Sequence, residues 1–154
     1  MSTFDKALAR LDVLEGLWSD DPADPGGLTF RGITKKNWDG WLRKRFGHGY
    51  QWPPTDAQVR VFYKEVWWDA YGLGAMPPPI AWELFKSGVN MGIKPARQIL
   101  QRALWAATER ELMIDGVIGP QTERALNEAN PQAVAAAMKS ETARWYDHLV
   151  TIKP

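Results

Sequence analysis

Cysteine is absent from the 154-residue chain, which excludes disulfides and thiol catalysis and leaves the redox compartment undetermined. Histidine is scarce: His48 and His148 stand far apart and outside any metal-ligand motif, so a zinc amidase or peptidase is not expected, nor is any metal or other cofactor. No apolar run approaches the ~18 residues of a membrane span, so stable membrane insertion is not expected. The N-terminus lacks a basic segment followed by an uninterrupted apolar core, and no secretion signal is expected there. Charge of one sign is lacking too. A net charge of +1 gives a phosphate backbone little to attract, and nucleic acid is not an expected partner. The chain has no Gly-x-Ser-x-Gly elbow, no phosphate loop, no internal repeat and no low-complexity segment.

With 45 % hydrophobic and 24 % charged residues, the composition is that of an ordinary globular domain with a core of its own. The unusual abundance is nine tryptophans. Their rings serve either as core anchors or as flat platforms for the apolar faces of sugars, and helical spacing accounts for most of them.

Periodicity predicts mostly helix. Phe4, Leu8, Leu11 and Glu15 recur at helical spacing, with Ser2 or Thr3 as cap and Gly16 just past the end. Thr34 reads as the cap of a second helix with Trp38, Trp41, Leu42 and Phe46 on one buried face. Lys35, Lys36, Arg43, Lys44 and Arg45 form either a solvated face or an attraction toward an anionic envelope. Thr55 and Gln58 make a capping box for a third helix running through Val59, Phe62, Tyr63, Val66, Trp67 and Tyr71. Ile80, Leu84 and Phe85 mark a fourth helix, and Pro95 opens another with Ile99, Leu100, Ala103 and Leu104 inward. After a turn at 115–119, Pro120 starts the next, and Asn130-Pro131 caps a last one with Val134, Met138, Trp145 and Leu149 as its packing face. No flexible linker separates the halves.

Glu15 is the odd residue, a carboxylate on an apolar stripe. In the last turn it lies beside unpaired carbonyls and the negative end of the helix dipole, and burial against Leu11, Leu14 and Trp18 would also disfavour its ionisation. A raised pKa suits a general acid working near neutral pH. The alternative is an exposed acid at a frayed helix end. Downstream, Pro22 and Pro25 stiffen a segment bearing Asp20, Asp21 and Asp24, Gly26-Gly27 permits a tight turn, and 28–34 has strand-like composition. The three aspartates lack the alternating ligands and terminal glutamate of a calcium loop.

Glu15-Gly16, Asp21-Pro22-Ala23-Asp24-Pro25-Gly26-Gly27, Thr29 and Gly32-Ile33-Thr34 together resemble the signature of the glycoside hydrolase family 108 lysozymes. Tyr63, Trp67 or Trp68, Val89-Asn90-Met91-Gly92, Leu100-Gln101-Arg102-Ala103-Leu104 and Asp115-Gly116-Val117-Ile118-Gly119-Pro120-Gln121-Thr122 resemble further family blocks, the last two similar to a peptidoglycan-binding region. Leu17 stands where the family usually has a second glycine, and Lys86-Ser87 where an aspartate is common.

The resemblance implies a mainly α, lysozyme-like fold with a small β-hairpin after the first helix. It also implies one compact domain over 1–154, with 1–94 as the catalytic part and 95–150 as helices completing the core. The implied activity is an N-acetylmuramidase cleaving peptidoglycan between N-acetylmuramic acid and N-acetylglucosamine. Glu15 becomes the catalytic acid, with Asp24 stabilising the developing charge or activating water, and Thr29 or Thr34 orienting the water. Asp21, Gly32, Tyr63, Trp67 and Asn90 are the candidate substrate contacts. A monomer made in the cytoplasm and released to the periplasmic wall through a holin is the expected setting. Lytic transglycosylase chemistry and a non-catalytic peptidoglycan-binding protein stay open, as does the choice between retention, with carboxyl groups about 5–5.5 Å apart, and inversion, at about 6.5–9.5 Å.

Overall fold

The computed structural model describes residues 1–20, 27–49 and 51–152. The chain forms two compact units, Met1–Tyr71 and Gly72–Pro154.

In the first unit, α1 (Thr3–Glu15) begins where Ser2 Oγ accepts the Asp5 N–H at 3.1 Å. It ends at Gly16, whose φ of +69° is readily adopted by glycine and whose N–H donates to the Asp12 carbonyl at 3.2 Å. Phe4, Leu8 and Leu11 are buried, as their spacing requires. The strands β1 (Trp18–Ser19), β2 (Thr29–Phe30) and β3 (Ile33–Thr34) make a three-stranded antiparallel sheet in chain order. The strand-like run 28–34 is broken at Arg31-Gly32, where both residues take positive φ, into the two strands of a hairpin, and β1 adds a third strand. Trp18 pairs with Phe30, Phe30 with Ile33, and Thr29 with both Ser19 and Thr34. One face therefore carries Trp18, Phe30 and Ile33, and the other Ser19, Thr29 and Thr34.

Thr34 caps α2 (Lys35–Phe46), accepting the Asn37 N–H at 3.1 Å. Trp38 and Leu42 are buried, but Trp41 is half-buried and Phe46 is 55 % exposed. Phe46 is the last residue of the helix, and its ring meets Trp41 edge-on at 6.3 Å instead of entering the core. On the charged face, Lys35 pairs with Asp39 and Arg45 with Glu65.

The capping box of Thr55 and Gln58 starts α3 (Asp56–Tyr63), which continues as a π-helical stretch, Lys64–Asp69. The wider turn moves later side chains around the axis. Trp68 is consequently buried, with its ring 5.5 Å from Phe4, while Trp67 is half-buried beside Tyr71. A uniform helical phase from Val59 to Tyr71 does not anticipate that exchange.

In the second unit, a 3₁₀ turn (Leu73–Ala75) leads to α4 (Pro78–Met91), α5 (Ile93–Thr108), α6 (Pro120–Glu128) and α7 (Pro131–Ile152). α4 is buried on most sides and packs on α5 and α7. Its Glu83, 1 % exposed, is held by Lys86 Nζ at 2.6 Å, with Lys139 of α7 at 4.0 Å. Val134 and Met138 anchor α7, whereas Trp145 and Leu149 are only half-buried.

The turn at 115–119 is fastened to α5 by the buried Gln101. Its Nε2 donates to Asp115 Oδ1 at 2.9 Å, the Val117 carbonyl at 3.0 Å and Thr122 Oγ1 at 3.3 Å, and its Oε1 accepts the Gly116 N–H at 2.8 Å. Hydrogen bonds from Gln101 and the Val117 N–H hold the Asp115 carboxyl below the usual carboxylate range. Gln101→Ala strands the buried Gly116 N–H, and chemical denaturation is expected to show a stability loss of about 1–3 kcal/mol.

Candidate active site

Glu15 occupies the last position of α1, whose final turn carries no basic residue. The turn joining β2 and β3 lies directly against it. Arg31 and Gly32, the two central residues of that turn, have φ of +50° and +79°, the signs of a type I′ hairpin. A Cβ on Gly32 would lie 2.7 Å from the Tyr63 hydroxyl, 3.2 Å from Glu15 Cγ and 3.4 Å from Glu15 Oε2. Glycine is required there twice over, for the backbone angle and for the space. The absence of a side chain lets the turn, the acid and the phenol meet.

Arg31 holds this meeting in place. A positive φ is costly for a residue with a side chain and persists only where the surroundings over-determine it. Here the Arg31 N–H donates to the Leu17 carbonyl at 2.7 Å, and its own carbonyl accepts from the Tyr63 hydroxyl at 2.7 Å. The guanidinium forks onto both Asp12 oxygens, with Nε to Oδ1 at 3.0 Å, and reaches Asp56 Oδ1 at 2.7 Å. Asp12 lies on α1, one turn before Glu15, and Asp56 is the first residue of α3. One side chain thus ties the hairpin to both helices that carry the site.

The consequence for Glu15 is burial without compensation. Among the described residues its carboxyl has no hydrogen bond or ion pair, and desolvation raises its pKa above the usual glutamate value. The enclosing partners are the Gly32 backbone and Tyr63; Leu14 and Trp18, expected as the cover, are exposed at 60 % and 50 %. Tyr63 is itself 1 % exposed. Its burial and the nearby charges of Glu15 and Asp12 raise the phenol pKa, so the hydroxyl stays protonated and donating.

Of the other candidates, Thr29 Oγ1 donates to the Ser19 carbonyl at 3.3 Å, and Thr34 spends its hydroxyl oxygen on the α2 cap. They are cross-strand neighbours on the sheet face opposite Phe30 and Ile33. Trp67 lies half-buried in the π-helical stretch, and Asn90 is exposed near the end of α4 in the second unit. Asp21 and Asp24 lie outside the described residues. Among the described residues no three His, Asp or Glu side chains group as a metal site. The residue missed from sequence is Arg31; the available signal was an arginine immediately before the glycine of a short hairpin.

Glu15 is thus a half-buried carboxyl at the end of a helix, set against the turn of a small sheet. The family described as Glycosyl hydrolase 108 matches residues 8–92, and the chain belongs to it. A Predicted Peptidoglycan domain matches residues 95–153. The protein is accordingly a glycoside hydrolase acting on peptidoglycan, with peptidoglycan as its partner. Among solved structures, that of Brucella abortus SagA is similar in fold, with a TM-score of 0.74 and 23 % identity over 94 % of this chain and 80 % of that one. No curated protein matches the chain.

Gly32→Ala puts a Cβ against the Tyr63 hydroxyl at a positive φ. It is expected to cost about 1–3 kcal/mol in denaturation and to lower the rate of peptidoglycan clearing through displacement of the turn from Glu15.

Proposed function

We propose that the protein is an endolysin-type muramidase that hydrolyses the β-1,4 bond between N-acetylmuramic acid and N-acetylglucosamine, with Glu15 as the general acid. The carrying observation is the desolvated Glu15 carboxyl, free of any salt bridge among the described residues and facing Gly32 and Tyr63. A carboxyl whose pKa is raised by burial holds its proton to higher pH, which suits it to protonate the glycosidic oxygen as the bond breaks and an oxocarbenium-like charge develops on the muramic acid ring. Tyr63 serves as the enclosing neighbour, its hydroxyl donating to the Arg31 carbonyl.

Asp24 is the group we assign to stabilise that charge or activate water, with Asp21 beside it in binding. Thr29 or Thr34 is our choice for orienting the water, and Trp67 is a further proposed substrate contact. Delivery to the periplasmic wall through a holin completes the endolysin role.

The test is digestion of purified peptidoglycan by the wild type and Glu15→Gln, with released muropeptides identified by mass spectrometry. Reducing-end N-acetylmuramic acid from the wild type and a loss of about 10²–10⁴-fold in the variant are expected. Anhydro-muramic ends would replace hydrolysis by transglycosylase chemistry, and equal activity in the two proteins would remove Glu15 from its role.

The raised pKa has a second signature. The native state holds the Glu15 proton above the pH at which the unfolded chain releases it, so this group's contribution to stability falls as pH rises from about 4.5, its unperturbed value, through the higher folded pKa. The same proton is needed for catalysis. In the wild type, kcat/KM is expected to decline with an alkaline limb at the folded Glu15 pKa, and Glu15→Gln is expected to be no less stable than the wild type at pH 7, read by thermal unfolding.

A further inference from the structure

We propose that Trp18, braced by Phe30 and Trp52, is the platform on which the apolar face of an N-acetylhexosamine ring lies next to the bond being cleaved, an assignment that rests on Glu15 as the acid. Trp18 is half exposed on a two-residue strand, three positions after Glu15, yet its ring is not loose. Its centroid is 4.8 Å from Phe30 and 6.2 Å from Trp52, and Phe30 and Trp52 meet at 6.4 Å, all three in edge-on arrangements. Three aromatic rings brace one another while a large part of one faces solvent. A tryptophan already immobilised loses little conformational freedom when a ligand stacks on it.

The segment Phe30-Arg31-Gly32 sets its distance from the acid. Phe30 pairs with Trp18 across the sheet, and Gly32 faces Glu15. A single residue, Arg31, separates these contacts, a Cα span of at most about 7 Å. The Arg31 N–H on the Leu17 carbonyl fixes β1 to the same turn. The platform and the acid are therefore both positioned by contacts to the β2–β3 hairpin.

Leu14 and Leu17 are exposed at 60 % and 61 %, so three large apolar side chains face solvent within five residues around Glu15. Such exposure beside the proposed acid suits a ligand-facing surface. The occupant that suits it is the glycan strand, whose ring faces are apolar and whose edges are polar, matched by an indole with the same division.

The experiment uses a tetrasaccharide of alternating N-acetylglucosamine and N-acetylmuramic acid, titrated calorimetrically into Glu15→Gln, Glu15→Gln/Trp18→Ala and Glu15→Gln/Trp18→Tyr. Trp18→Ala is expected to raise Kd about tenfold, and Trp18→Tyr, which keeps a stacking ring, to stay within about threefold of the parent. Thermal unfolding of each variant checks that the fold is retained. An unchanged Kd in Trp18→Ala, an equal loss in Trp18→Tyr, or no binding by the parent would overturn the platform. Failure of the acid assignment reads differently: Glu15→Gln would then cleave the sugar, which mass analysis of the same sample reveals, while the comparison at Trp18 keeps its meaning.

Discussion

The bidentate pairing of Arg31 with Asp12, extended to Asp56, is the constraint on which the first unit's geometry depends. The pairing joins three elements that sequence order alone leaves independent: the C-terminal half of α1, the β2–β3 turn and the start of α3. Arginine suits the task because its planar fork engages both oxygens of one carboxylate while a further N–H reaches a second. With the side chain so engaged and both backbone polar groups hydrogen-bonded, the positive φ at Arg31 is over-determined. Gly32 then has one place to be, and that place is against Glu15.

Two glutamates show how environment divides the roles of one residue type. Glu83 is the more deeply buried, and the adjacent Lys86 ammonium neutralises its charge, with Lys139 further off. A charge buried with its partner is a structural element of α4, and removing either member would leave the other desolvated and unpaired. Glu15 is less buried and has no such partner among the described residues, so burial acts on it unopposed and favours the neutral acid. The difference in chemistry follows from the missing cation, not from depth.

The local elements were largely legible. Ser2, Thr34, Thr55 and Asn130 cap helices through hydrogen bonds to N–H groups three positions on, an interaction whose donor and acceptor are neighbours in the chain. The stripes of α1 and α5 bury the residues their spacing selects. Misreadings arose where a local rule met a non-local choice. The π-helical stretch exchanged Trp67 for Trp68 in the core, because the phase of a helix depends on what it packs against as well as on its own spacing. Phe46, Trp145 and Leu149 carry apolar side chains at apolar phase, yet lie in the C-terminal parts of their helices, where Phe46 is exposed and the other two half-buried.

By itself the sequence determined the helical content, the caps and an acid at the end of α1, since each is decided by residues within a few positions of one another. It also carried the family, through motifs spread along the chain. Only the tertiary structure decided what makes Glu15 distinctive. Tyr63 and Gly32 enclose it, Arg31 reaches Asp12 and Asp56, and Leu14 and Trp18 are left in solvent, because the burial of one carboxyl is set by which distant segments come to rest on it. Spacing along a chain shows which face a side chain lies on, and desolvation depends on what covers that face.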